Sequence, residues 1–242
     1  MQVTIPTYIL YAERETERAA SIEGLKNVFT NFTIIPSVYP KFTHVPFLES
    51  LVQKSKERTG ESLQPSEIGC LLGHRKIWQE IVRKAENDKD HYLVMESDSK
   101  INDLKLLASN FTKYTNSYDL FFWGAWDGHI SIKRSSIVYK ENGHIVGEPL
   151  IKSVYCTYGY SINKKAAQYL LAQTVKISYP VDMFKHFIQP KTIKIGGIRK
   201  ELISTWSNMG SHIRANSLVA IIKRFLILMV FTTRNSVQAF FS

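Results

Sequence analysis

Tyr92-Leu93-Val94-Met95-Glu96-Ser97-Asp98 is a short apolar run that stops abruptly on two acids. A run without polar alternation is what a strand buried on both faces requires, and the acids mark where it leaves the sheet. Upstream, residues 66–85 place Ile68, Leu71, Leu72, Ile77, Trp78, Ile81 and Val82 at the period of a long helix. Downstream, residues 102–111 predict a helix and YDLFFW (118–123) a second buried strand. Toward the N-terminus, TYILY (7–11) reads as a strand, 14–28 as a helix with Ala19, Ile22, Leu25 and Val28 on one face, FTIIPSV (32–38) as a strand closed by its prolines, and 47–56 as a helix. In the other direction, Asn142-Gly143 predicts a tight hairpin, 154–162 a strand, Asn163 a cap for a helix over 164–172, and 192–195 a strand ending before Gly196-Gly197. Strands and helices alternating in this way, with no repeat and no linker, predict one α/β domain with a mostly parallel central sheet.

The composition is compatible with that fold. The 242 residues are 44% hydrophobic and 12% aromatic, enough for a packed core and too apolar for a disordered chain. Two cysteines, Cys70 and Cys156, make no disulfide framework, and the first residues carry no basic stretch leading into a long apolar run, so a cytoplasmic location is expected. The net charge of +10 is unevenly placed. Residues 183–242 hold nine Lys/Arg and one acid, a charge of +8, which leaves +2 for the first 182 residues.

In an open α/β sheet, ligands sit beyond the carboxyl ends of the strands, where Glu96 and Asp98 fall. Residues i and i+2 of an extended chain point to one side, so the two carboxylates can converge on a hard cation such as Mg²⁺ or Mn²⁺, which would neutralise a nucleotide diphosphate. The competing reading is a loop in which two exposed acids start a turn. A haloacid-dehalogenase-like phosphatase needs its first carboxylate to be an Asp nucleophile, and Glu96 argues against it. The chain has no Walker A loop, no Gly-x-Gly-x-x-Gly and no Gly-x-Ser-x-Gly elbow, so Ser211-His212 does not suggest a hydrolase.

Four segments in order resemble glycosyltransferase family 25, the lipooligosaccharide-biosynthesis transferases. They are ILYAERETER (9–18), EIGCLLGHRKIWQEIV (67–82), YLVMESD (92–98), and TYGYSINKKAAQYLL (157–171) followed by Pro180-Val181-Asp182. The resemblance covers roughly residues 7–190 and implies a GT-A-like, Rossmann-like domain; with the charge and apolar pattern of the C-terminal end, the expected division is a domain over 1–210 and a basic amphipathic tail over 211–242. It implies a UDP-sugar donor, usually UDP-galactose, a divalent metal (Mn²⁺ or Mg²⁺), and transfer with inversion onto a glycan. Carried over by position, Glu96 and Asp98 form the acidic motif, with Asp98 the principal metal ligand, and Arg18, Glu67 and His74 belong to the site. Ser97 stands where the family has its middle Asp, and Leu10 where members commonly carry Asn.

Further candidates come from the residues themselves. Arg14 and Arg18 start the helix after the first strand, near a bound nucleotide, although Glu13, Glu15 and Glu17 would equally suit a solvated face. Cys70, His74 and Trp78 recur every four residues on one helical face. This spacing could suggest a metal pair, but a core-facing stripe with His74 hydrogen-bonded and braced by Glu67 is the simpler reading. Inversion needs a base for the acceptor hydroxyl. Asp182, in its Pro-x-Asp turn, leads; Asp127 is the alternative, with Trp123 and Trp126 as sugar-stacking neighbours, and Asp182 could instead cap a helix. His186 and His212 are late histidines that could complete a metal shell.

Residues 218–231 (LVAIIKRFLILMVF) carry Lys223 and Arg224 in mid-run and are too short to span a bilayer. Arg214, Ser217, Lys223, Arg224 and Arg234 opposite Leu226, Met229 and Val230 predict an interfacial helix on anionic lipid, peripheral on the inner face of the cytoplasmic membrane, with no nucleic-acid partner. The rival functions are a catalytically weak family member that binds glycan or nucleotide sugar, and a basic membrane- or nucleic-acid-binding protein. Oligomeric state leaves no trace in the sequence.

Overall fold

The computed structural model describes residues 1–11, 13–125, 128, 130–206 and 218–242, with backbone only for 218–228 and 231. Strand β1 (Thr7–Tyr11) leads through a 3₁₀ turn, Thr16–Arg18, into α1 (Ala19–Val28), and β2 (Phe32–Pro36) follows. Next come α2 (Leu48–Thr59), α3 (Pro65–Lys84), β3 (Tyr92–Glu96), β4 (Ser99–Ile101), α4 (Leu104–Thr115) and β5 (Leu120–Phe122). The hairpin β6 (Tyr139–Glu141) and β7 (His144–Gly147) precedes β8 (Gly159–Ile162), α5 (Lys164–Gln173), β9 (Ile195–Arg199), β10 (Ile203–Thr205) and α6 (Leu218–Phe241).

Eight strands form one sheet in the order β2-β1-β3-β8-β5-β9-β7-β6. The pairings make six of them co-directional, with β8 and β7 reversed, so the sheet is mostly parallel as the alternation of elements requires. Successive strand residues face opposite layers. Tyr8, Leu10, Val94, Leu120 and Phe122 join the core under α3 and α5, while Ile9, Leu93, Met95 and Phe121 join the core under α1 and α4. Each central strand is therefore apolar throughout, which is why YLVM and LFF show no alternation.

Local chemistry fixes the element ends. Asn163 Oδ1 accepts from the Ala166 N–H and Asp103 Oδ1 from the Leu106 N–H, each at the start of a helix. Asn142 (φ 50°) and Gly143 (φ 79°) both take the left-handed conformation that a type I′ hairpin demands. Three expectations change. The glycines at 196 and 197 lie inside β9 and not after it. Residues 99–101 and 203–205, to which the sequence reading assigns no element, pair as a two-stranded antiparallel sheet. The last helix continues past Phe231 to Phe241, with Asn235 and Ala239 buried one turn apart on its inner face.

Candidate active site

β3 delivers Glu96 at its carboxyl end, and the chain then turns through Ser97 and Asp98 into β4. The two carboxylates therefore do not project from one extended strand. The Ser99 hydroxyl accepts from the Glu96 N–H at 3.0 Å and donates to the Tyr158 carbonyl, pinning the turn. Glu96 faces α3 and the approach to β8, while Asp98 faces the turn that starts α1.

On the α3 side, the Trp78 indole donates to the Tyr160 hydroxyl at 2.8 Å, and that hydroxyl lies 2.9 Å from His74 Nδ1. His74 Nε2 lies 3.3 Å from Glu96 Oε1, which also accepts from the Thr157 hydroxyl. Indole can only donate. With a neutral imidazole, every group is paired when Tyr160 gives its proton to Nδ1 and His74 gives its Nε2 proton to Glu96. Trp78, His74 and Tyr160 are all fully buried, so this chain of donors is held rigidly behind the carboxylate.

On the α1 side, an Arg18 guanidinium nitrogen donates to Ser97 Oγ at 2.9 Å and another lies 3.3 Å from Asp98 Oδ2. The Ser97 hydroxyl passes its own proton to Glu15 at 3.1 Å. Asp98 Oδ1 and Arg18 Nε are buried with no hydrogen-bond partner. A buried carboxylate oxygen without a partner is costly, and a ligand bound at this position would remove that cost.

The two acids are driven apart electrostatically. Burial alone would raise Glu96, but the hydrogen bonds from His74 and Thr157, with the Arg18 charge, hold it below the usual carboxylate range. Asp98 is pushed up to about 6 by burial and then by the neighbouring Glu96 charge, against the pull of Arg18. A divalent cation would remove this penalty. Hard oxygens from Glu96 and Asp98, one of them orphaned, fit Mg²⁺ or Mn²⁺.

Asp182 lies near the same centre, since its charge acts on both the Cys70 and Cys156 thiols together with that of Glu96. The 3₁₀ turn that follows it, Phe184–His186, starts from Met183, which makes no side-chain capping bond. Other candidates sit elsewhere. Arg14 is exposed, with its guanidinium 5.1 Å from the Phe42 ring centroid. His186 is exposed and stacked on Tyr179 at 3.7 Å. Glu67 does not brace His74, because at the third position of α3 its carboxylate accepts the Gln64 N–H at 2.8 Å in a capping box. Trp123 cannot stack on a sugar, since it is fully buried against Phe111 with its indole bonded to Ser161. Asp127, Trp126 and His212 lie outside the described residues. Sequence reasoning missed Tyr160, Thr157 and Glu15 as members of the site. A tyrosine in an otherwise apolar strand is the signal for the first, because its buried hydroxyl must find a partner.

The chain matches the family model Glycosyltransferase family 25 (LPS biosynthesis protein) over residues 4–185. It is 32% identical over 130 residues to procollagen galactosyltransferase 1 of Danio rerio, a match covering 52% of this chain and 20% of that protein. It is 28% identical over 135 residues to the "Probable inactive glycosyltransferase 25 family member 3" of Rattus norvegicus, covering 52% and 22%. The matched segment is thus about a fifth of the length of these curated relatives. Among solved structures, a "Putative Glucose-1-Phosphate Thymidylyltransferase" from Bacillus anthracis in complex with a sucrose aligns over 98% of this chain and 95% of its own, at TM-score 0.41 and 14% identity. The family model spans far more than half of the residues and includes the acidic turn, the His74 helix and the Asp182 turn: the chain belongs to glycosyltransferase family 25.

Proposed function

We propose that the protein transfers a hexose, galactose in the first instance, from a UDP-sugar to a hydroxyl of a lipooligosaccharide or other surface glycan, with inversion and with the help of Mn²⁺. The observation that carries this reading is the half-buried acid pair Glu96 and Asp98 beyond the carboxyl end of β3, with the buried Asp98 Oδ1 lacking a hydrogen-bond partner. Glu96 and Asp98 would hold the cation, whose charge would stabilise the departing diphosphate. Arg18 sets a positive charge beside the same position. The acceptor oxygen attacks the anomeric carbon, the bond from that carbon to UDP breaks, and Asp182 takes the hydroxyl proton. The name of the zebrafish relative supports galactose as donor sugar.

The test is UDP release from UDP-galactose, UDP-glucose and UDP-N-acetylhexosamines, with Mn²⁺ or EDTA, in the presence of candidate glycans. Release should require Mn²⁺ and fall by about 100-fold or more in Asp98→Asn, because the variant loses charge at the point where diphosphate charge develops. Release that EDTA and Asp98→Asn leave unchanged overturns the metal-dependent reading. A second reading, a member that binds nucleotide sugar without turning it over, is favoured by Ser97 in the acidic turn and by the name of the rat relative. It predicts that UDP-galactose raises the melting temperature while no acceptor elicits UDP.

A further inference from the structure

We propose that Cys70, His74 and Glu96 form a second, thiophilic cation site, suited to zinc, that shares one carboxylate with the acidic turn. Cys70 and His74 are four residues apart on α3 and face the end of β3, where Glu96 stands. One donor atom from each, a thiol sulfur, an imidazole nitrogen and a carboxylate oxygen, lies within 4.8 Å of both others. Tetrahedral zinc, with bonds of about 2.0–2.3 Å, separates its ligands by about 3.3–3.8 Å, so closing the site takes a movement of about 1 Å. Three protein donors with a fourth position left for water is the pattern of an accessible zinc site. Entry is open, since Cys70 is half-buried and the Glu96 side chain is 23% exposed.

The donor set selects the metal. A thiolate and an imidazole favour zinc over the hard ions that suit Glu96 and Asp98 alone. The partners behind the ligands are already in place: Tyr160, held by Trp78, fixes the imidazole from its far side. On binding, the Cys70 thiol loses its proton to solvent as the metal–sulfur bond forms. The His74 proton moves from Nε2 to Nδ1, where the Tyr160 oxygen accepts it through a lone pair that Trp78 does not use, and the Tyr160 hydroxyl proton, which had pointed at Nδ1, rotates away from the imidazole and gives up that bond. The His74–Glu96 hydrogen bond is then replaced by two metal bonds. Zinc in this position withdraws Glu96 from the acidic turn and so acts as an inhibitor. That consequence rests on the proposed function, whereas the site itself does not.

The experiment uses the full chain, stripped of metal and kept reduced, and titrates Co²⁺ as an optical substitute for Zn²⁺. A thiolate-to-cobalt charge-transfer band should appear, saturate at about one equivalent and be erased by Zn²⁺. Cys70→Ser should abolish the band, Cys156→Ser should leave it, and His74→Gln should weaken cobalt binding by about tenfold or more. Circular dichroism establishes that each variant is folded. Folded wild-type protein without the band, or a band that survives Cys70→Ser, overturns the site. Because the spectrum needs no turnover, the two proposals fail separately: Mn²⁺-dependent UDP release without the band removes the zinc site alone, and the band without UDP release removes the transferase reading alone. Where both hold, Zn²⁺ should inhibit the wild type and spare Cys70→Ser.

Discussion

Tyr160 is the residue on which the α3 side of the Glu96 environment depends. It receives the Trp78 proton and faces His74, all within side chains that water does not reach. In Tyr160→Phe, the indole N–H and His74 Nδ1 each lose their partner at almost unchanged volume. Each unpaired buried group costs about 1–3 kcal/mol, so urea unfolding should show a loss in that range or somewhat above it. The loss should be coupled to Trp78: Trp78→Phe should cost less in the Tyr160→Phe background than in the wild type, since the orphaned indole is then gone. Strict additivity of the two substitutions would show that the hydroxyl and the indole act independently. Ser97 gains a meaning at the same scale. Where the family has a middle Asp, its hydroxyl links Arg18 to Glu15, so a third carboxylate reaches the acidic turn from the α1 side.

At the scale of elements, α3 braces one side of the site and was also the plainest to read. Its apolar residues recur at helical period over five turns, and its N-terminus is signed by Gln64, Pro65 and Glu67. The sequence EIGC has a packing reason as well. A Cβ on Gly69 would stand 2.3 Å from the Val38 carbonyl oxygen and 2.7 Å from Pro40 Cδ, so the helix can lie against the chain leaving β2 only if this residue has no side chain. Gly69→Ala must push α3 away from backbone, not from a flexible side chain. We expect a loss of about 1–3 kcal/mol in denaturant unfolding, whereas Gly24→Ala, in open space on α1, should be slightly stabilising through helix propensity. Equal effects at the two positions would remove the close-approach explanation. Local patterns made these elements legible: the period in α3, the unbroken apolar runs of β3 and β5, Asn-Gly in the hairpin, and Asn163 as a cap. What escaped depends on partners distant in sequence. Residues 99–101 are a strand only because 203–205 lie beside them, and Trp123 turned out to be core because β5 points it toward α4. Glu67 was misassigned for the opposite reason, a local capping bond taken for a contact with His74.

At the scale of the whole molecule, charge and apolar surface are separated along the chain. The first 182 residues carry +2 and the last sixty +8, and α6 ends in a surface where Met229, Val230, Val237, Phe240 and Phe241 are all more than half exposed. Among the described residues no helix is long and apolar enough to cross a membrane. The 24-residue helix is instead tethered to the domain near its end, where the Arg134 guanidinium lies 4.6 Å from the Phe240 ring centroid and Lys152 bonds Gln238. An anchored helix with an exposed apolar edge in a basic segment is the arrangement that we propose rests on anionic lipid. The apolar and electrostatic contributions can be separated. Val230→Ser, Val237→Ser and Phe241→Ser together remove apolar surface without touching a charge or the buried Asn235 and Ala239, and should lower flotation with phosphatidylserine-containing vesicles by about tenfold or more. Raising the salt should weaken the wild type and leave neutral vesicles as poor partners throughout, because basic residues near the surface act only within a Debye length. A chain ending at Gly210 should not float at all. Flotation that ignores both the triple substitution and the vesicle charge would place the attachment elsewhere on the protein and return the basic end to solvent.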